Sequence, residues 1–173
     1  MKNKLLNFWY YHKVHTIIIL VVLAIGAYLV LTQQKSVKSD YDIAIVSARG
    51  CSDEQMAQMR DVFQQAGRDQ NGDGIVAVDI HLYRFALGED GQDREAVAGL
   101  DADLVGMLSG IFFVDDPAKF EAATNGLGKA ADALPVRGIP RLQGCGVDDL
   151  SLLIRSNADQ RYERILDNLM KNE

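Results

Sequence analysis

The chain has 173 residues, 48% of them hydrophobic, and a formal charge of −6 at neutral pH. Every Asp and Glu lies at or after Asp40, and residues 36–173 carry 14 Lys and Arg against 24 Asp and Glu, a net of −10. So acidic a surface repels phosphate backbones and anionic lipid headgroups, which argues against nucleic acid as a partner.

The first element is Thr16–Thr32, TIIILVVLAIGAYLVLT, which has no charged residue. As a helix it covers about 26 Å, close to the hydrocarbon thickness of a bilayer, and Lys13 and Lys35 flank it where they can snorkel. Phe8, Trp9, Tyr10 and Tyr11 precede it in the manner of an interfacial aromatic belt. The expectation is one transmembrane helix over residues 14–34, a signal-anchor with the lipid bilayer as its partner. A cleaved leader fits less well, because the run is long for a signal sequence and no small-x-small site follows. Lys2, Lys4 and Lys13 outweigh Lys35 and Lys38, which are closely followed by Asp40 and Asp42. The positive-inside rule therefore places residues 1–13 in the cytoplasm and the C-terminal part outside the cell membrane.

Residues 35–41 read as a polar tether, and residues 42–173 as one extracytoplasmic domain of about 130 residues, enough for its own core. Asp42–Ser47 (DIAIVS) is a β-branched run suited to a buried strand. Ser52 and Gln55 form a capping-box pattern that opens a helix with Met56, Met59, Val62, Phe63 and Ala66 on one face and Gly67 as its stop. Ile75–Tyr83 alternates: Val76, Val78, Ile80 and Leu82 share one face, and Ala77, Asp79, His81 and Tyr83 the other. That pattern predicts an edge strand. Arg94–Leu108 places Val97, Leu100, Leu104 and Met107 or Leu108 at helical spacing, with Ser109-Gly110 as terminator. Ile111–Val114 (IFFV) reads as a central strand. Asp116-Pro117 opens a further helix with Phe120 and Ala123 toward the core. Thr124–Gly146 reads as irregular, Leu150–Arg155 as a candidate fourth strand, and Asp159–Lys171 as a closing helix. The predicted fold is an α/β layered sheet, strand order 2-1-3, with right-handed crossovers and helices on both faces.

Three places carry candidate chemistry. Ligands of open α/β sheets bind at carboxyl strand ends, here lined by Ser47, Arg49, Gly50, Cys51, Ser52, Asp115 and Asp116. Arg49 could engage an anion there, helped by helix N-terminal amides; Ser52 and Asp116 also have capping roles. Asp69, Asn71 and Asp73 begin like a calcium loop, D-x-N-x-D-G, but the twelfth position is Ile80 instead of a bidentate carboxylate. The plainer reading is a tight helix-to-strand turn. Cys51 and Cys145 are two cysteines that could pair if their Cα atoms approach within about 7 Å. They form no C-x-x-C, and no motif for a cofactor, a metal cluster or a serine nucleophile is present.

The runs YDIAIVSARGCSDEQMAQM, DQNGDGIVAVDIHLYRF and LDADLVGMLSGIFFVDDPAKF resemble a family of uncharacterised bacterial single-pass membrane-anchored proteins. The layout also resembles, more distantly, one lobe of extracellular solute-binding proteins. That second resemblance implies a ligand-binding scaffold, although one lobe cannot trap a ligand by closure and no binding residues carry over. The expected role is a non-enzymatic binding or scaffolding module at the cell envelope, its partner an envelope protein or a small ligand. The alternatives are an envelope enzyme using the crevice around Arg49, Cys51 and Asp115, and an assembly subunit docking through Tyr162–Met170.

Overall fold

A computed structural model describes residues 38–87 and 93–171, together with Ile18, Val21 and Val22. Apart from those three positions, Thr16–Thr32 lies outside the described residues. Among the described residues no helix is long and apolar enough to cross a membrane. The contacts divide the chain into Met1–Lys38 and Ser39–Glu173. In the first unit Ile18, Val21 and Val22 are helical, with exposed side chains.

The second unit is built on one mixed sheet of five strands. They are β1 (Tyr41–Val46), β2 (Val78–Tyr83), β3 (Ile111–Val114), β4 (Leu134–Pro135) and β5 (Ser151–Ile154), in the order β2-β1-β3-β5-β4. The predicted 2-1-3 neighbours are present, with β1 parallel to both β2 and β3. The two most apolar strands thus flank each other inside the sheet, where both faces are covered. The second half departs from the expected all-crossover pattern. β5 runs antiparallel to β3 and to β4, so β4 has the same sense as β3 and β5 fills the gap between them. Thr124–Gly146 is accordingly not all irregular: it holds β4 and the 3-10 turns Ala130–Asp132, Val136–Gly138 and Pro140–Leu142.

Four helices cover the sheet: α1 (Asp53–Ala66), α2 (Arg94–Gly106), α3 (Pro117–Ala123) and α4 (Gln160–Leu169). Strand alternation sorts the core into two layers. Ile43, Ile45, Ile111, Phe113 and Leu152 pack with Met59 and Phe63 of α1 and Ile165 and Leu169 of α4. Ala44, Val46, Phe112, Val114 and Leu153 face the other way, onto Leu100 of α2 and Phe120 of α3. Aromatic pairs tie each layer: Phe63 meets Phe113 edge-on at 6.1 Å, and Phe112 lies 5.0 Å from Phe120. Such pairs add about 0.5–1.5 kcal/mol beyond area burial.

Local signals fixed most helix starts. The Ser52–Gln55 capping box is complete, and Asp116 caps α3 by accepting from the N–H groups of Ala118 and Lys119. The end of α2 differs from expectation. Met107 takes a left-handed conformation and closes the helix, its N–H donating to Asp103 and Leu104, so Met107 and Leu108 are exposed instead of facing the core. Gly110 serves another purpose, since a Cβ there would stand 2.2 Å from the Tyr162 ring. Ala123 is also exposed; Thr124 is the buried neighbour, bonding back to the Phe120 carbonyl.

Candidate functional site

The carboxyl ends of β1 and β3 converge because the two strands are adjacent and parallel. That brings Ser47 and Asp115 together. The buried Ser47 hydroxyl donates to Asp115 Oδ1 at 3.0 Å, and the Ala48 N–H donates to Oδ2 at 2.7 Å. The place where strand-end amides would hold an anion is thus filled by the chain's own carboxylate. Beside it a hollow of about 180 Å³ is lined by Val46, Ala48, Phe85, Leu87, Asp115 and Lys119 among others. Asp116 borders the hollow while capping α3.

Arg49 points elsewhere. Its guanidinium meets Asp149 at 2.5 Å, with both side chains more than 70% exposed. An exposed pair of this kind is worth at most about 1 kcal/mol. Ser47, Asp115 and Asp116 therefore form one strand-end group, while the Arg49 side chain pairs with Asp149 instead. Cys51 and Cys145 are buried free thiols in the same apolar layer. Burial pushes both thiols up, and Asp148 adds to the effect at Cys145. A raised thiol is a poor nucleophile, because attack needs the thiolate.

The Asp69–Gly74 loop is a chain of Asx turns. Asp69 accepts from the N–H groups of Asn71, Gly72 and Gly74, Asn71 from that of Asp73, and Asp73 from that of Ile75. Gly72 and Gly74 supply positive φ of +77° and +85° where the turn requires it. The carboxylate of Asp69 is held below its ordinary range, chiefly by the Gly74 and Gly72 N–H groups. Ile80, the twelfth position, packs in the core. Asn71 and the two Asp side chains satisfy the loop's own backbone, which accounts for these residue types as a turn.

Sequence reading missed the groups that anchor these features. Asp40, 1% exposed, accepts from Gln70, Asn71 and Ala77 N–H groups and so fastens the loop to the start of β1. Asp103, equally buried, accepts from the Ser109 N–H and hydroxyl and from the Tyr83 hydroxyl. Arg155, also buried, donates to the carbonyls of Ser109 and Leu104 at the end of α2. A helical acid such as Asp103 reads as surface in the sequence; only its spacing, three residues after Leu100 on the core face, hints at burial. The face Tyr162–Met170 proposed for docking is occupied: Tyr162, Ile165 and Leu169 are buried in the domain's own core, leaving Met170 outside. On β1 and β2, Asp42, Asp79 and His81 come together although they are far apart in sequence. No protein-family model, curated protein or solved structure matches the chain.

Proposed function

We propose that the chain is a single-pass envelope protein whose acidic α/β domain lies outside the cell membrane and acts there as a binding or scaffolding module rather than an enzyme. The observation that carries this reading is the charge division about Thr16–Thr32. Basic residues precede the uncharged run, and every acidic residue follows it. Ile18, Val21 and Val22 support it as well, being apolar, helical and outward-facing, as a lipid-contacting surface is. The resemblance to bacterial membrane-anchored proteins and to one solute-binding lobe belongs to the same proposal.

The strand-end group is the contact surface in this reading. Asp115 is committed to Ser47 and Ala48, and the raised thiol of Cys51 lies buried, which weakens the enzymatic alternative. Arg49, two residues after Ser47, offers with Asp149 an exposed, easily exchanged ion pair. The test uses the full chain in cells with a phosphatase reporter at Glu173 and a photo-crosslinker at position 149. Phosphatase activity and an adduct with an envelope component are expected, the adduct being lost in Arg49→Ala. An inactive phosphatase fusion, with a cytoplasmic reporter at the same position active, overturns the placement. Adducts unchanged by Arg49→Ala and Asp115→Ala remove the strand-end group from the proposal.

A further inference from the structure

Parallel pairing of β1 and β2 sets Asp42 directly beside Asp79, and His81 beside Ala44 two residues further along. Side chains two apart on a strand share a face, so all three project to the same side of the sheet. One carboxylate oxygen from each Asp and one imidazole nitrogen of His81 lie within 4.8 Å of one another. β2 is the sheet edge, where solvent reaches Asp79 and, in part, His81.

We propose that Asp42, Asp79 and His81 form a binding site for a first-row divalent cation of the Zn²⁺ type. The donor set selects the class. One imidazole with two carboxylates suits Zn²⁺ or its neighbours, whereas Ca²⁺ seeks six to eight oxygens. A metal at about 2.0–2.2 Å from each donor needs the donors only moderately closer than they stand, a movement that side-chain rotation supplies. The scaffold is preorganised. β1 is an interior strand, and the Ser39 hydroxyl donates to Asp42 and fixes the orientation of its carboxylate. The Asp42 backbone is held in register with Asp79, and its N–H also makes a long contact, 3.4 Å, to the Tyr162 hydroxyl.

The charge environment favours a cation. Two carboxylates share the site with a single imidazole. His81 Nε2 stands 3.8 Å from Asp79 Oδ2, beyond good hydrogen-bond length. A divalent ion between the three groups would satisfy both carboxylates and the imidazole together. Three protein donors leave a fourth position open to water or to a donor from a partner, the arrangement of an exchangeable site. The proposal does not depend on where the domain sits relative to a membrane.

The test is a Zn²⁺ titration of the chelator-stripped full chain in neutral detergent, read against a chromophoric competitor. One equivalent bound is expected, with His81→Ala and Asp79→Asn each weakening affinity at least about tenfold. Ser39→Ala, which removes only the orienting hydroxyl, weakens it less. Asp73→Asn and the His12→Ala/His15→Ala double variant leave it unchanged. Affinities of His81→Ala and Asp79→Asn within twofold of the parent, or no Zn²⁺ bound at about 100 μM, overturn the proposal. Should those variants fail to fold, histidine NMR of the parent chain decides. A shift of the His81 ring at one equivalent supports the site, and shifts confined to His12 and His15 refute it.

Discussion

Replacement of Asp40 by Ala removes one carboxylate that holds three backbone N–H groups: Gln70 at 2.8 Å, Asn71 at 3.2 Å and Ala77 at 2.8 Å. A hydrogen bond to a charged acceptor contributes about 1.5–3 kcal/mol, but a stranded donor that water can reach costs much less. Gln70 and Asn71 lie in an exposed loop, whereas Ala77 is half-buried at the start of β2. Counting the Ala77 bond in full and the loop bonds at a fraction gives a loss of about 3 kcal/mol. That is a large share of the roughly 5–15 kcal/mol that holds a domain of this size together. Asp40→Asn keeps the shape and one acceptor but turns an amide toward a donor, for about 1–2 kcal/mol. The assay is urea unfolding of the full chain in neutral detergent, followed by far-UV circular dichroism. At a slope of about 1–3 kcal/mol/M, Asp40→Ala should lower the midpoint by about 1–3 M. Asp69→Ala is the internal comparison: it removes as many N–H contacts, all in the exposed loop, and its effect should be clearly smaller. A loss below about 0.5 kcal/mol for Asp40→Ala would refute the claim that this buried acid fastens the loop.

Asp103→Ala should cost about 2–4 kcal/mol in the same assay, because it strands the buried Ser109 groups, with partial recovery in Asp103→Asn. Gly110→Ala should destabilise by about 1–3 kcal/mol through collision with Tyr162, and Tyr162→Leu in the same chain should recover part of the loss. Tyr83 has its phenol raised above the ordinary 10.0, first by burial and then by the charge and hydrogen bond of Asp103. Its stabilising contribution is therefore complete below pH 10 and is lost as pH rises through the folded-state value; denaturation midpoints measured upward from pH 9 should fall, and fall less steeply in Tyr83→Phe. A maleimide probe should label the native chain at neutral pH far more slowly than the unfolded chain, since both thiols are buried and raised; equal rates would contradict that placement.

The parts of this fold that were legible in sequence are those decided locally. β1 and β3 announce themselves as apolar runs, and Ser52, Gln55, Asp116 and Pro117 mark helix starts through chemistry confined to one turn. β2 was legible as an edge through its alternation. β4 was not, because Leu134–Pro135 is a strand only by virtue of pairing with β5, and no two-residue segment carries a period. The true end of α2 was hidden for a related reason. Gly110 resembled a terminator, yet its small size answers to Tyr162 about fifty residues later, while Met107 stops the helix without a glycine. The site follows the same division. Adjacency of Ser47 and Asp115 came from the strand order, whereas Asp42 joins Asp79 and His81 only through interstrand register, which alternation within either strand leaves undefined.

The antiparallel insertion of β5 sets a timetable for the chain. β3 offers one edge to β1 as soon as residues 41–114 are made, but its other edge must wait for residues 151–154. The same late segment leads into α4, whose Ile165 and Leu169 complete the layer over Phe113 and Phe63. Until residues 151–154 have been synthesised, that flank of the sheet remains an open, apolar pairing edge. Closure of the sheet is thereby coupled to a segment made about forty residues after β3, so β1, β2 and β3 can pair before the sheet is complete.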